Sequence, residues 1–252
     1  MRILVVNPNT TASMTARIGA AARVAANPGT EIAAVNPAMG PASIEGYYDE
    51  AFAIPGLLEE VARGEAAGVD GHIIACFDDT GLEAARSLAR APVVGIGEAA
   101  FHMASLIAGR FTVVTTLDRS VPAIEHNLVK YGLDRRCARV RAAEVPVLEL
   151  EDPAGDARRR IDEAIAAAKR EERAEAIVLG CAGMADLAAD LSAAHGLPVV
   201  DGVACAVKLV EALASLGLRT SKTLGYQAPR AKPYSGLLER FGVPSAPRRE
   251  KE

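Results

Sequence analysis

Apolar residues fall in short runs that stop abruptly at polar or glycine-containing turns. Ile3-Leu4-Val5-Val6, Glu31-Ile32-Ala33-Ala34-Val35, Gly71-His72-Ile73-Ile74-Ala75, Pro92-Val93-Val94, Phe111-Thr112-Val113-Val114, Ala176-Ile177-Val178-Leu179-Gly180 and Pro198-Val199-Val200 are such runs. They are strand-length, rich in β-branched residues and apolar on both faces, which is the pattern of buried parallel strands. Between them lie stretches rich in alanine, leucine, glutamate and arginine with apolar positions at helical spacing. These are Met14 to Ala26, Leu57 to Ala67, Gly81 to Ala89, Ala99 to Ala108, Gly155 to Glu172 and Val203 to Leu216. Alternating strands and helices predict an α/β fold of parallel sheets, with ligands at the carboxyl ends of the strands.

The pattern also repeats. Gly71-His72-Ile73-Ile74-Ala75-Cys76 is echoed by Ala176-Ile177-Val178-Leu179-Gly180-Cys181, and each cysteine ends an apolar strand before a short loop and an alanine- and leucine-rich helix. Cys181 lies 105 residues after Cys76, Pro198 lies 106 after Pro92, and Val113 lies 108 after Val5. Helix Ala99 to Ala108 matches Cys205 to Ala214. Landmarks at nearly one offset predict two pseudosymmetric, doubly wound lobes, each with a mostly parallel sheet, and an active site at the lobe interface where equivalent strand ends meet. The boundaries expected are 1–98 plus 207–252 for the first lobe and 99–206 for the second. Residues from Thr220 onward have no counterpart. A helix over Tyr234 to Arg240 is expected to pack back on the first lobe, and the charged tail Pro247-Arg248-Arg249-Glu250-Lys251-Glu252 to fray.

Composition narrows the possibilities. The chain has 252 residues, half of them hydrophobic, and a net charge of −4. No basic stripe favours nucleic acid or an anionic membrane. No apolar run is long enough to span a bilayer, and the N-terminus lacks a signal-peptide pattern, so the expected place is the cytoplasm. The four cysteines, Cys76, Cys137, Cys181 and Cys205, form no C-x-x-C pair, so zinc spacing is absent and no metal is expected. No P-loop, dinucleotide fingerprint or pyridoxal-type lysine motif is evident, and no cofactor is expected.

Cysteine placed between a strand end and a helix lies near unsatisfied backbone N–H groups, which lower the thiol pKa and favour thiolate. One such cysteine suggests a nucleophile. Two, in equivalent places of two lobes, suit a reaction in which one group removes a carbon-bound proton and the other returns one to the opposite face. His72, His102, His126 and His195 sit in strands or helices and are assigned structural roles, which makes a nucleophilic triad a poorer fit.

These residues resemble the aspartate/glutamate/hydantoin racemase superfamily, and within it the hydantoin racemases. Asn7-Pro8-Asn9-Thr10, Ser43-Ile44-Glu45-Gly46-Tyr47-Tyr48-Asp49-Glu50, Ala75-Cys76-Phe77-Asp78-Asp79-Thr80-Gly81, Phe111-Thr112-Val113-Val114-Thr115-Thr116 and Gly180-Cys181-Ala182-Gly183-Met184 carry the likeness. The resemblance implies a two-lobed fold, no cofactor or metal, Cys76 and Cys181 as a two-base pair, and a homo-oligomer. Relatives that act on free amino acids carry Cys-Asn-Thr and Cys-Thr-His at these places. Here the residues are Cys76-Phe77-Asp78 and Cys181-Ala182-Gly183. Loss of the hydroxyl and amide groups that would surround a carboxylate points to a cyclic ureide, a 5-substituted hydantoin, as the small-molecule substrate.

Other site residues follow by position. Asn9, after the first strand, and Thr115 and Thr116, at the equivalent place, are expected to bond ring N–H and C=O groups, although Asn7-Pro8 serves as well simply to end the strand. Ser43 and Ile44 offer backbone N–H groups to a ring oxygen, or form a plain turn. Phe77 borders the 5-substituent or belongs to the core, Gly183, beside the candidate binding residue Ala182, lets the backbone approach the ligand or simply starts a helix, and Asp78-Asp79 caps the following helix. An acid beside Cys76 would also raise its pKa. Three further readings stay open: the same chemistry on allantoin, a non-catalytic two-lobed binding protein, and a decarboxylase of related fold.

Overall fold

The structure, a computed structural model, describes residues 1–152 and 154–242, so the tail Pro247 to Glu252 lies outside the described residues. Two four-stranded parallel sheets form the frame. The first contains β1 (Arg2–Val6), β2 (Glu31–Val35), β3 (Gly71–Ile74) and β4 (Val93–Gly95) in the order β2-β1-β3-β4. The second contains β5 (Phe111–Thr115), β6 (Cys137–Ala142), β7 (Ala176–Gly180) and β8 (Val199–Asp201) in the order β6-β5-β7-β8. The two orders are identical, strand for strand, which is the two-lobed pseudosymmetry that the sequence offsets predict. In both sheets the order reverses beside the opening strand, and the crevice at that switch point receives the ends of β1 and β3 or of β5 and β7.

The helices are α1 (Ala12–Ala25), α2 (Tyr47–Ala66), α3 (Leu82–Leu88), α4 (Ile96–Ile107), α5 (Val121–Lys130), α6 (Ala157–Ala167), α7 (Ala188–His195) and α8 (Gly202–Ser215). Side-chain alternation along each strand decides what they cover. Ile3 and Val5 of β1 and Ile73 of β3 join Val113 of β5 and Val178 of β7 in one core, closed by Ile18, Phe101, Val203 and Val207 from α1, α4 and α8. Leu4, Val6 and Ile74 point the other way, onto Leu57 and Val61 of α2 and Leu82 of α3. Val114, Ile177 and Leu179 do the same in the second sheet, against Ile161 and Ile165 of α6 and Leu191 of α7. The central core is therefore shared by both sheets. A Cβ on Gly202 would lie 2.4 Å from the carbonyl oxygen of Ile96, so only glycine lets α8 start this close to α4.

Several details depart from the sequence reading. β6 was not anticipated: its sequence Cys-Ala-Arg-Val-Arg-Ala keeps only Val140 buried, because it is an edge strand with Arg141 paired to Glu171 and Glu172. α2 begins at Tyr47, ten residues before the expected start at Leu57, and runs on through Pro55. Tyr234 to Arg240 gives a short 3-10 turn, Gly236–Phe241, in place of a helix. This turn and the segment before it do run back over the first sheet's helices. Lys222 donates to the carbonyls of Arg86 and Ser87, and Arg240 pairs with Glu59 of α2 at 2.8 Å. Among the described residues no helix is long and apolar enough to cross a membrane.

Candidate active site

Cys76 follows β3 by two residues and Cys181 follows β7 directly, so the two strand ends carry one thiol each from opposite sheets. Both line a single cavity between the two sheets. Asn7, Pro8 and Asn9 reach it from the end of β1, and Thr116 reaches it from the end of β5. Met14 of α1, Ile44, Ser120 and Val147 complete the wall from distant parts of the chain. Ile44 was expected from the sequence, but nothing local marks Met14, Ser120 or Val147; Ser120 and Val147 come in because the loops after β5 and β6 fold over the crevice.

The expected site residues separate in space. Asn9, Ile44, Phe77, Asp78, Thr116 and Ala182 line the cavity with the two cysteines. Ser43, Thr115 and Gly183 are not on its wall. Thr115 is buried and donates its hydroxyl to the carbonyl of Gly180 at 3.0 Å, locking β5 to β7. Gly183 sits behind Cys181, and its backbone N–H bonds the Cys181 sulfur. Phe77 has both roles: it borders the cavity and meets Phe101 edge-on at 5.3 Å. Asn9 is fixed from within, its Oδ1 accepting from Asn7 at 2.8 Å and from the Thr11 N–H at 2.9 Å. The four histidines are elsewhere, and His72 is a buried strand residue bonded to Glu65 at 3.0 Å. Cys137 on β6 and Cys205 on α8 are also away from the cavity.

The thiols do not have the low pKa expected from a helix terminus. Burial pushes the Cys181 thiol up to about 11 even with the Gly183 N–H against it. Burial, reinforced by Asp78, pushes Cys76 up well beyond the ordinary thiol range, although the Thr80 hydroxyl bonds its sulfur at 3.3 Å. The reason is geometric. α3 starts only at Leu82 and is seven residues long, so Cys76 has no helix end beside it, while two acids, Asp78 and Glu50, face it. Desolvation then outweighs the hydrogen bonds.

The capping expectation for Asp78-Asp79 is likewise corrected. Asp79 caps α4 and leaves α3 uncapped by any side chain: its carboxylate accepts from Gly97 N–H at 3.0 Å and Glu98 N–H at 2.8 Å. Tyr131, just past α5 of the second lobe, donates its hydroxyl to the same carboxylate at 2.7 Å. In the second lobe α8 is capped from its own N-cap residue, Asp201, bonded to Val203 N–H and Ala204 N–H. Gly95 stands where Asp201 stands, and a Cβ there would come within 2.1 Å of the Asp79 Oδ1. The first lobe thus omits its own cap and takes one from the cysteine loop. Asn127 of α5 donates to the Asp78 carbonyl at 2.8 Å, so the second lobe grips that loop at two points.

Among the described residues no lysine or arginine lines the cavity, and Asp78 is its one carboxylic acid. Such a wall suits a neutral polar molecule better than a carboxylate.

Comparison with known proteins agrees with this geometry. The chain is 51% identical to hydantoin racemase of Rhizobium meliloti over 94% of its own length and 98% of that protein. It is 47% identical to hydantoin racemase of Pseudomonas sp. (strain NS671), over 96% of its length and 97% of the relative. The solved structure of allantoin racemase from Klebsiella pneumoniae superposes with a TM-score of 0.93 at 51% identity, covering 96% of this chain and 99% of that one. The sequence profile of the Asp/Glu/Hydantoin racemase family matches residues 3–210, which include both sheets and both strand-end cysteines. The chain belongs to the Asp/Glu/Hydantoin racemase family.

Proposed function

We propose that this protein interconverts D- and L-5-monosubstituted hydantoins by proton transfer at C5, with Cys76 and Cys181 as the two acid/base groups. The observation that carries the reading is the pair of pseudosymmetric strand-end cysteines on one cavity. The identity to named hydantoin racemases supports the substrate class.

In the reaction, the thiolate on one face takes the C5 proton, forming S–H as C5–H breaks. The electron pair passes into the neighbouring ring carbonyl as an enolate. The thiol on the other face then gives its proton to C5, and its sulfur keeps the electron pair as thiolate. The two cysteines have exchanged roles, and the opposite enantiomer uses them in reverse. Delocalisation into the ring makes C5–H more acidic than the α-C–H of an amino acid carboxylate, which suits thiols that start from a high pKa. Phe77, Ile44 and Val147 give the wall apolar surface of the kind that an apolar 5-substituent would meet.

Circular dichroism of a single hydantoin enantiomer tests the assignment. The enzyme should erase the signal faster than spontaneous racemisation, and Cys76→Ser and Cys181→Ser should each lower the rate by about 10²–10⁴-fold. Full activity in one of the two variants rules out the two-base scheme. A second substrate, allantoin, has its own support in the 51% identity to an allantoin racemase. Allantoin is itself a hydantoin with a ureido group at position 5, and comparing its kcat/KM with those of 5-benzyl- and 5-isopropylhydantoin decides between them.

A further inference from the structure

We propose that Asp78 works as a neutral carboxylic acid that reads one amide edge of the ring: its O–H donates to the carbonyl at C4, and its C=O accepts from the adjacent N3–H. This rests on the hydantoin reading above and adds a residue that touches the atom on which charge develops.

The loop after β3 treats its two neighbouring acids in opposite ways. Asp79 is buried and fully engaged, with two backbone N–H groups and the Tyr131 hydroxyl on its carboxylate. Asp78 lines the cavity, and among the described residues its carboxyl receives no hydrogen bond; only its backbone is held, by Asn127. An unengaged carboxyl on the wall of a small cavity is a group waiting for a ligand.

The charge around it selects the neutral form. Glu50 faces it from α2, and Asp79 and Cys76 lie in its own loop. Cys181 faces it from the end of β7. All four are acids, and Glu50 Oε1 is itself buried without a partner. One cysteine must become thiolate and the substrate must become an enolate. A carboxylate between them would oppose both, whereas an O–H aimed at the carbonyl strengthens its bond as negative charge builds on that oxygen. Burial and Glu50 raise the Asp78 pKa to about 8, so the protonated form is available at neutral pH. A carboxylic acid and a ring –CO–NH– edge are complementary, one donor and one acceptor on each side.

Asp78→Asn and Asp78→Ala decide the matter. Asparagine carries the same donor and acceptor as the neutral acid, so kcat/KM at pH 7 should stay within about threefold of wild type. Alanine should lose about tenfold to hundredfold, the effect of two hydrogen bonds. In wild type the rise of kcat/KM with pH should bend near the Asp78 pKa of about 8, and in Asp78→Asn the bend should vanish. Equal impairment of the two variants, full activity of both, or a bend that persists in Asp78→Asn overturns the proposal. Infrared difference spectra of wild type against Asp78→Asn, taken without substrate, separate this from a failure of the hydantoin reading. A protonated-carboxyl band below that pKa in a protein that racemises no hydantoin faults the assigned reaction and leaves the carboxyl's state standing. An ionised carboxylate throughout, in a protein that does racemise hydantoins, overturns the role of Asp78.

Discussion

Replacing Gly95 by alanine places a methyl group 2.1 Å from Asp79 Oδ1 and 2.5 Å from its Cγ, so the carboxylate must leave. Two backbone N–H groups at the start of α4 then lose their acceptor, and the Tyr131 hydroxyl loses its partner. Cap loss costs about 0.5–2 kcal/mol, and a stranded buried donor about 1–3 kcal/mol, so a total of about 2–4 kcal/mol is expected. For a chain of this length that is a fall in Tm of roughly 4–16 °C by circular dichroism. Activity should fall further than stability alone explains, because Asp79 adjoins the loop that carries Cys76. The pseudosymmetry supplies a second variant. Gly95→Asp combined with Asp79→Gly recreates the cap that Asp201 gives α8, and glycine suits the positive φ of 51° at position 79. This double variant should recover the Tm but not the kcat, since the tie from Tyr131 to the cysteine loop is still missing. Wild-type Tm and kcat in Gly95→Ala would refute the crossed cap. Full kcat in the double variant would refute the tie as a positioning device.

Three further outcomes are expected. Tyr131→Phe removes one hydrogen bond to a carboxylate that keeps two others, so Tm should drop by only about 2–4 °C while kcat falls more than KM changes; an unchanged kcat contradicts the grip of the second lobe on the loop. Because burial holds both thiols well above neutral pH, the thiolate fraction grows tenfold per pH unit, and kcat/KM should climb between about pH 6 and 8; a flat profile there is incompatible with a thiol base that starts protonated. Cys137→Ser and Cys205→Ser lie outside the cavity and should racemise at the wild-type rate; polarimetry showing a large loss in either would place chemistry elsewhere.

The α/β class, the two lobes and the paired cysteines were legible in the chain because they rest on local or repeated signals. Strands buried on both faces read as unbroken apolar runs, and one cysteine ends the equivalent run in each half. The edge strand β6 was hidden because Arg139 and Arg141 interrupt its pattern. Its place could still have been found, since Cys137 lies 106 residues after Glu31, the offset shared by the other strands. The N-terminal half of α2 lies ahead of Pro55, whose cost in an isolated helix the packed protein tolerates, so the helix starts ten residues before the periodic stretch.

What no local pattern could supply is the environment of each group. Cys76 and Cys181 occupy equivalent places in sequence, yet their pKa values rise for lack of water and the nearness of Asp78, a consequence of two lobes closing on one cavity. Asp78 and Asp79 are adjacent and identical in type, but one lines that cavity and the other caps a helix that starts seventeen residues further on. Sequence determined which residues stand at the strand ends, because periodicity and strand length are properties of the chain alone. Only the tertiary structure decided their protonation, their partners and which of them share the cavity, because desolvation and long-range contacts exist only once the lobes have packed together.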